Sequence, residues 1–260
     1  MKVLAVGDIV GEAGVRKLKG ILPDLKKSDE IDFVVTNGEN AAGGMGLLER
    51  NFKDLLEAGT DVVTMGNHTW GKKDIFKFID HSQLLRPANY PKGVVGKGLG
   101  IYECKGKKIA VMNLMGRVDL NILTENPFVM AKEMVDELQG KVDMIFIDFH
   151  AEATAEKIAM GRFLDGKITA LWGTHTHVQT ADEHILPQGT GFITDLGMTG
   201  PCHSVLGVKP ELIIKKLRSK MPVRFDLASG PCHLDGAVFE IDEKTGKTIS
   251  IERICITQIE

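Results

Sequence analysis

The chain has 260 residues, 43% hydrophobic and 26% charged, which is ordinary for a globular protein. That length suits a single hydrophobic core, so one domain over residues 1–260 is expected. A net charge of −3 gives no bulk reason to expect a long nucleic-acid duplex as partner, because such binding rests on many Lys and Arg contacts to phosphate. No apolar run approaches the ~20 residues of a membrane span. The sequence opens on a strand-like run with no signal-peptide pattern before it, so no membrane partner and a cytoplasmic location are expected.

Strand and helix signals alternate from Met1 to about Pro222. Val3-Leu4-Ala5-Val6 reads as a first strand. Gly14 to Lys27 carries Val15, Leu18, Ile21 and Leu25 at helical spacing. Phe33-Val34-Val35 reads as a strand, Leu47 to Ala58 as a helix, Val62-Val63-Thr64-Met65 as a strand and Lys73 to Ile79 as a helix. Gly100 to Cys104 and Ile109 to Leu114 are strand-like, and Lys105-Gly106-Lys107 between them is a hairpin turn. Pro127 to Leu138 is a helix with proline near its start. Met144 to Ile147 and Ala170 to Trp172 are strands that flank a helix over Ala153 to Phe163. Gly191 to Thr194 is a strand and Pro210 to Arg218 a helix. This alternation implies crossover connections and an α/β fold. Toward the C-terminus, Val223 to Leu227, Gly236 to Ile241 and Thr248 to Ile256 read as strands with no helix between them, and Glu243 to Gly246 as a turn. An antiparallel sheet packed on the parallel one is expected there.

Five of the apolar runs end in a residue that can bind a metal. The first leads to Asp8, the second to Glu39 and Asn40, the third to Asn67 and His68, the fourth to His150 and the fifth to His175 and His177. Short β-branched runs of this kind read as strands buried on both faces of a mostly parallel sheet. Ligands bind such sheets at the carboxyl ends of the strands, so these scattered residues converge on one rim. Carboxylate, amide and imidazole are the ligand types of a hydrolytic metal centre. Each motif also has a plainer reading. Asp8 suits a helix cap, Asn37 to Asn40 a turn, His150 a satisfied core residue and His175 with His177 a polar loop. In an extended segment, however, two histidines one residue apart point the same way, and five such motifs at successive strand ends are hard to assign to chance.

The four cysteines, Cys104, Cys202, Cys232 and Cys255, form no Cys-x-x-Cys pair and are expected to be reduced and structural. Pro-Cys-His occurs twice, at Pro201 to His203 and Pro231 to His233. Two Cys and two His suit tetrahedral zinc, but adjacent Cys-His pairs lack finger spacing, so the repeat is read as coincidence.

Asp8, Glu39, Gly66-Asn67-His68, His150 and Gly173-Thr174-His175-Thr176-His177 follow the motif order of the calcineurin-like metallophosphoesterase superfamily, which the chain resembles. The longer matches Gly7 to Gly11, Asn37 to Ala42, Asp148 to Thr154, Gly173 to Thr180 and Asp195 to Pro201 resemble its small bacterial YmdB-like branch. The resemblance implies a four-layer α/β/β/α sandwich, two metal ions per chain and 2′,3′-cyclic nucleotide 2′-phosphodiesterase activity. Two departures from the superfamily pattern are visible. The first motif reads Asp8-Ile9-Val10 where Asp-x-His is usual, and the bridging residue is Glu39 where Asp is usual. Asn40 is placed to replace the missing imidazole. On this reading one metal takes Asp8, Glu39, Asn40 and His177, and the other takes Glu39, Asn67, His150 and His175. An amide in place of an imidazole hardens the first site and favours iron or manganese.

In such enzymes two metals ~3.5–4 Å apart clamp the phosphodiester and hold a bridging hydroxide for in-line attack. Glu39 would set their spacing, and His68, beside Asn67 but off the metal, would protonate the leaving alkoxide. Cleavage at the 2′ oxygen of a cyclic nucleotide leaves the 3′-nucleotide. Arg117, after the strand Ile109 to Leu114, is a candidate phosphate contact or a solvated surface arginine. Gly43 to Gly46 is a mobile rim or a turn. The alternatives are a phosphatase or nuclease on the same centre, or a regulatory protein that binds metal or nucleotide. Exposed sheet edges and Met-rich stretches allow self-association.

Overall fold

The computed structural model describes residues 1–257. In chain order its elements are β1 (Lys2–Val6), β2 (Asp8–Ile9), α1 (Gly11–Ser28), β3 (Phe33–Asn37), α2 (Glu49–Glu57), β4 (Val62–Thr64) and β5 (Leu84–Leu85). Next come β6 (Leu99–Cys104), β7 (Lys107–Met115), α3 (Pro127–Leu138), β8 (Met144–His150), α4 (Thr154–Leu164), β9 (Ala170–Thr174) and β10 (His184–Ile185). The last are β11 (Gly191–Ile193), β12 (Met198–Pro201), α5 (Pro210–Ser219), β13 (Cys232–Ile241) and β14 (Thr248–Thr257). Among the described residues no helix is long and apolar enough to cross a membrane.

The strands form two sheets. The first runs β2-β12-β13-β1-β3-β4-β5, with β14 along β13, and the second runs β10-β11-β9-β8-β7-β6. β1, β3, β4 and β5 are mutually parallel, as are β7, β8, β9 and β11. Strand alternation sorts the apolar residues into three layers. Leu4, Val6, Val34 and Val63 pack under Val15, Leu18 and Leu22 of α1 and Phe52 and Leu55 of α2. Their neighbours Val3, Ala5, Phe33 and Val35 face Phe146, Trp172 and Ile193 of the second sheet. On the far side Ile145, Ile147 and Phe149 pack against Ala131 and Val135 of α3 and Met160 and Leu164 of α4. Three apolar layers separate four layers of structure, the α/β/β/α sandwich that the resemblance implied.

Three details differ from the sequence reading. The five runs divide between the sheets, with β1, β3 and β4 in the first and β8 and β9 in the second. The expected helix over Lys73 to Ile79 is a 3-10 turn, Lys73–Lys77. Within that turn Ile75 is buried while Phe76 is 58% exposed. The C-terminal strands form no separate sheet: β13 pairs antiparallel with β1 and extends the first one. Gly236 permits that pairing, since a Cβ there would lie 2.5 Å from the Ala5 carbonyl oxygen. Val223 to Leu227 is not a strand. Leu227 alone bridges, to Val208, and Phe225 stays exposed.

Candidate metal centre

The strand ends position the polar residues. Just past β1, the Asp8 amide donates to the Gly197 carbonyl at 3.1 Å, and its carboxylate is fully buried. Glu39 and Asn40 follow β3 in a tight turn in which the Glu39 amide donates to Asn37 Oδ1 at 3.1 Å. Asn67 and His68 follow β4 after Gly66. Any side chain at Gly66 would collide with the site, because a Cβ would lie 2.3 Å from His150 Cδ2 and 2.4 Å from Glu39 Oε2. His150 ends β8 and is fully buried. His175 and His177 follow β9 with φ of 103° and 63°, a left-handed backbone that costs ~1–3 kcal/mol per residue unless the surroundings hold it.

The expected site residues come together around two points. His150 Nε2 lies 2.8 Å from Asn67 Oδ1, 3.1 Å from Glu39 Oε1 and 3.1 Å from His175 Nδ1. Asn40 Nδ2 lies 3.3 Å from Asp8 Oδ1, 3.2 Å from Glu39 Oε1 and 3.1 Å from His177 Nε2. Glu39 is common to both groups. His68 stands at the edge: its amide donates to Glu39 Oε2 at 2.9 Å, and its Nδ1 is 2.7 Å from Asn40 Oδ1. Arg117 is not drawn in. Its side chain is exposed, and its backbone amide donates to the Glu156 carboxylate at 2.9 Å.

The outward nitrogens decide what this cluster can hold. Thr174 Oγ1 donates its single proton to Asp148 Oδ1 at 2.7 Å, so it accepts from His150 Nδ1–H at 2.9 Å. His177 Nδ1–H donates to the Leu206 carbonyl at 3.2 Å, and His175 Nε2–H to Glu152 Oε2 at 2.9 Å. Each imidazole thereby aims a lone pair inward, at two carboxylates. Apart from the Asn40 amide nitrogen, the side-chain groups that meet here are acceptors, a set that fits a cation. The electrostatics agree. Burial pushes the Asp8 carboxyl above its usual range. Burial acts the same way on Glu39, but His150 and then His68 outweigh it and hold that carboxyl down at about 2. Burial disfavours the His150 imidazolium, yet Glu39 raises its pKa to about 9, so a proton there stands in for a cation. His175, disfavoured by burial and then by His150, drops to about 3. Among the described residues, Glu39, His150 and His175 offer three potential ligand atoms within 4.8 Å of one another. The two Pro-Cys-His segments lie side by side, but among the described residues their cysteines and histidines form no such group. Pro201 lies opposite Cys232 on antiparallel strands, and the Cys202 amide donates to the Pro231 carbonyl at 2.8 Å.

Sequence reasoning missed the supports. Asp195 is fully buried after β11. Its Oδ2 accepts from Lys157 Nζ at 2.6 Å and from the Thr176 amide at 3.1 Å, which ties down the turn carrying His175 and His177. Asp148 and Thr174 set the His150 ring, and Glu152 sets His175. Asp195 lies just past the strand-like run Gly191 to Thr194, so the strand-end signal that marked Asp8 marks it too.

A four-layer sandwich with a carboxylate and imidazole cluster at the carboxyl ends of both sheets defines a calcineurin-like metallophosphoesterase fold. Residues 4–254 match the model of the YmdB-like protein family, and the chain belongs to that family. The 2′,3′-cyclic-nucleotide 2′-phosphodiesterase of Bacillus subtilis (strain 168) is 50% identical over 257 residues, covering 98% of this chain and 97% of that protein. The crystal structure of a novel phosphatase from Mycoplasma pneumoniae matches with a TM-score of 0.94 at 39% identity, covering 99% of this chain and 93% of that one. The NAD nucleotidase of Haemophilus influenzae, with a TM-score of 0.63 at 14% identity over 99% of this chain and 56% of its own, shares the fold alone.

Proposed function

We propose that this chain is a dinuclear metal-dependent phosphodiesterase that opens 2′,3′-cyclic nucleotides to 3′-nucleotides. The observation that carries the reading is the inward-facing cluster of carboxylates and imidazoles with His68 at its edge, its Nδ1 held by Asn40. Asp8, Glu39, Asn40 and His177 would hold one ion, and Glu39, Asn67, His150 and His175 the other, with iron or manganese favoured by the oxygen-rich donor set. When bound, the metals supply Lewis acidity that offsets phosphodiester charge and lowers the pKa of water.

The protein groups do the rest. Asn40 shows its amide nitrogen to the cluster and its oxygen to His68. The two ends of a carboxamide are similar in size, so a half-turn presents oxygen as a ligand and lets Nδ2 donate to His68 Nδ1. The His68 proton then rests on Nε2, the nitrogen away from the cluster. Nε2 delivers it to the departing 2′ oxygen, an effect typically worth ~10²–10⁴-fold.

Metal analysis of the purified protein, beside an assay on bis-p-nitrophenyl phosphate and 2′,3′-cyclic AMP, tests this reading. About two metals per chain with metal-dependent release of 3′-AMP is the expected result. Full activity with normal metal content in Asp8→Asn or Glu39→Gln would overturn the site.

A further inference from the structure

A cavity of about 620 Å³ lies between α1 and the segment 227–232, and its wall includes Glu12, Arg16, Lys17, Leu227, Ser229 and Pro231. That volume is in the range of small-molecule sites. Lys17 falls on the buried face of α1, three residues after Gly14 and four before Ile21, both buried. A helix that needs only to pack puts an apolar residue there. Lys17 is 8% exposed, and its Nζ is buried with no hydrogen-bond partner. On β12, against which α1 packs at Gly14, Thr199 Oγ1 is also buried and without a hydrogen-bond partner. Arg16 forms no ion pair among the described residues. Glu12, the one acidic residue of this wall, is already engaged by Arg50 Nη2 at 2.7 Å and by Asn51 Nδ2 at 3.1 and 3.2 Å. Among the described residues the cavity wall thus carries one buried, unpaired ammonium, one exposed guanidinium and no free carboxylate.

Burying an unpaired ammonium costs several kcal/mol, and among the described residues no side chain pairs with this one. We propose that this cavity is a second ligand site, separate from the metal cluster, for a small molecule bearing a phosphate group. The dianion is met by Arg16 and by Lys17, whose flexible stem swings the ammonium into the cavity, while Leu227 and Pro231 cover the organic body. Gly43 belongs to the same wall and sits three residues past Asn40, so the occupied site touches the glycine-rich loop Gly43 to Gly46 beside the catalytic cluster.

The test is calorimetric titration of the full chain with inorganic phosphate and, separately, with 5′-AMP. Wild type, Glu39→Gln, Lys17→Met and Arg16→Met are compared. The expected result is a site that persists in Glu39→Gln and weakens about tenfold or more in Lys17→Met. Tighter binding of 5′-AMP than of phosphate would identify a nucleotide ligand, and equal binding would identify phosphate itself. Arg16→Met, at an exposed position, carries the same prediction if Lys17→Met does not fold. Binding of neither probe to wild type, binding lost in Glu39→Gln, or affinity unchanged in the cavity variant would overturn the proposal.

Discussion

Lys157→Met isolates the device that holds the histidine turn. Lys157 and Asp195 are both fully buried, with Nζ 2.6 Å from Oδ2. Removing one member of a buried pair costs ~3–5 kcal/mol, because the other charge is left behind. Here the Thr176 and Gly197 amides, at 3.1 and 2.9 Å, still face the carboxylate, which places the loss near the lower end, about 3 kcal/mol. At ~2–4 °C per kcal/mol for a chain of this size, the melting temperature falls by roughly 6–12 °C. The same change loosens the turn whose two left-handed histidines the fold must hold, so activity falls by ~10–100-fold, as for other groups that orient metal ligands. Thermal unfolding by circular dichroism and a phosphodiesterase assay read the two effects. The double variant Lys157→Met with Asp195→Asn removes the stranded charge and keeps an oxygen for the Thr176 amide. It should recover more than half of the lost stability. A single variant that melts within ~2 °C of wild type, or a double variant no more stable than the single, would refute the reasoning.

Three further outcomes follow from the geometry. Gly66→Ala forces a methyl between Glu39 and His150, and metal content and activity should each drop by ~10–100-fold; a fully active, fully loaded variant would show that the two side chains separate freely. His68→Ala should keep its metals and lose ~10²–10⁴-fold in kcat with little change in KM, whereas a fall in metal content would make His68 a ligand. Arg117→Ala should change kcat/KM by less than about threefold, within the ~0.6 kcal/mol expected of an exposed substitution; a larger loss would mean that the guanidinium reaches substrate.

How much of this centre was legible depended on whether a residue's role is local or supplied from a distance. Asp8, Glu39, Asn67, His150 and His175 could be read from sequence because each ends an apolar run, and a parallel sheet sends all such ends to one rim. The same logic says nothing about which sheet a run enters. β4 and β8 are both buried along their whole length, and only their pairing, β4 with β3 and β8 with β7, assigns them to different sheets. The C-terminal strands were recognisable by their alternation, but their partner was not, because pairing of β13 with β1 rests on Gly236 clearing the Ala5 carbonyl. The supporting residues were the least visible. Lys157 sits in a helix with ordinary charged neighbours, and nothing in its local sequence reveals a counter-charge 38 positions away. Lys17 sharpens the point. It lies on the apolar stripe of α1 and breaks it, a conflict between local pattern and global packing. Such conflicts are expected at functional or strained sites, and here the conflict borders a cavity beside α1. The proposed ligand residues stand out by agreement with pattern, and the proposed second site by a departure from it.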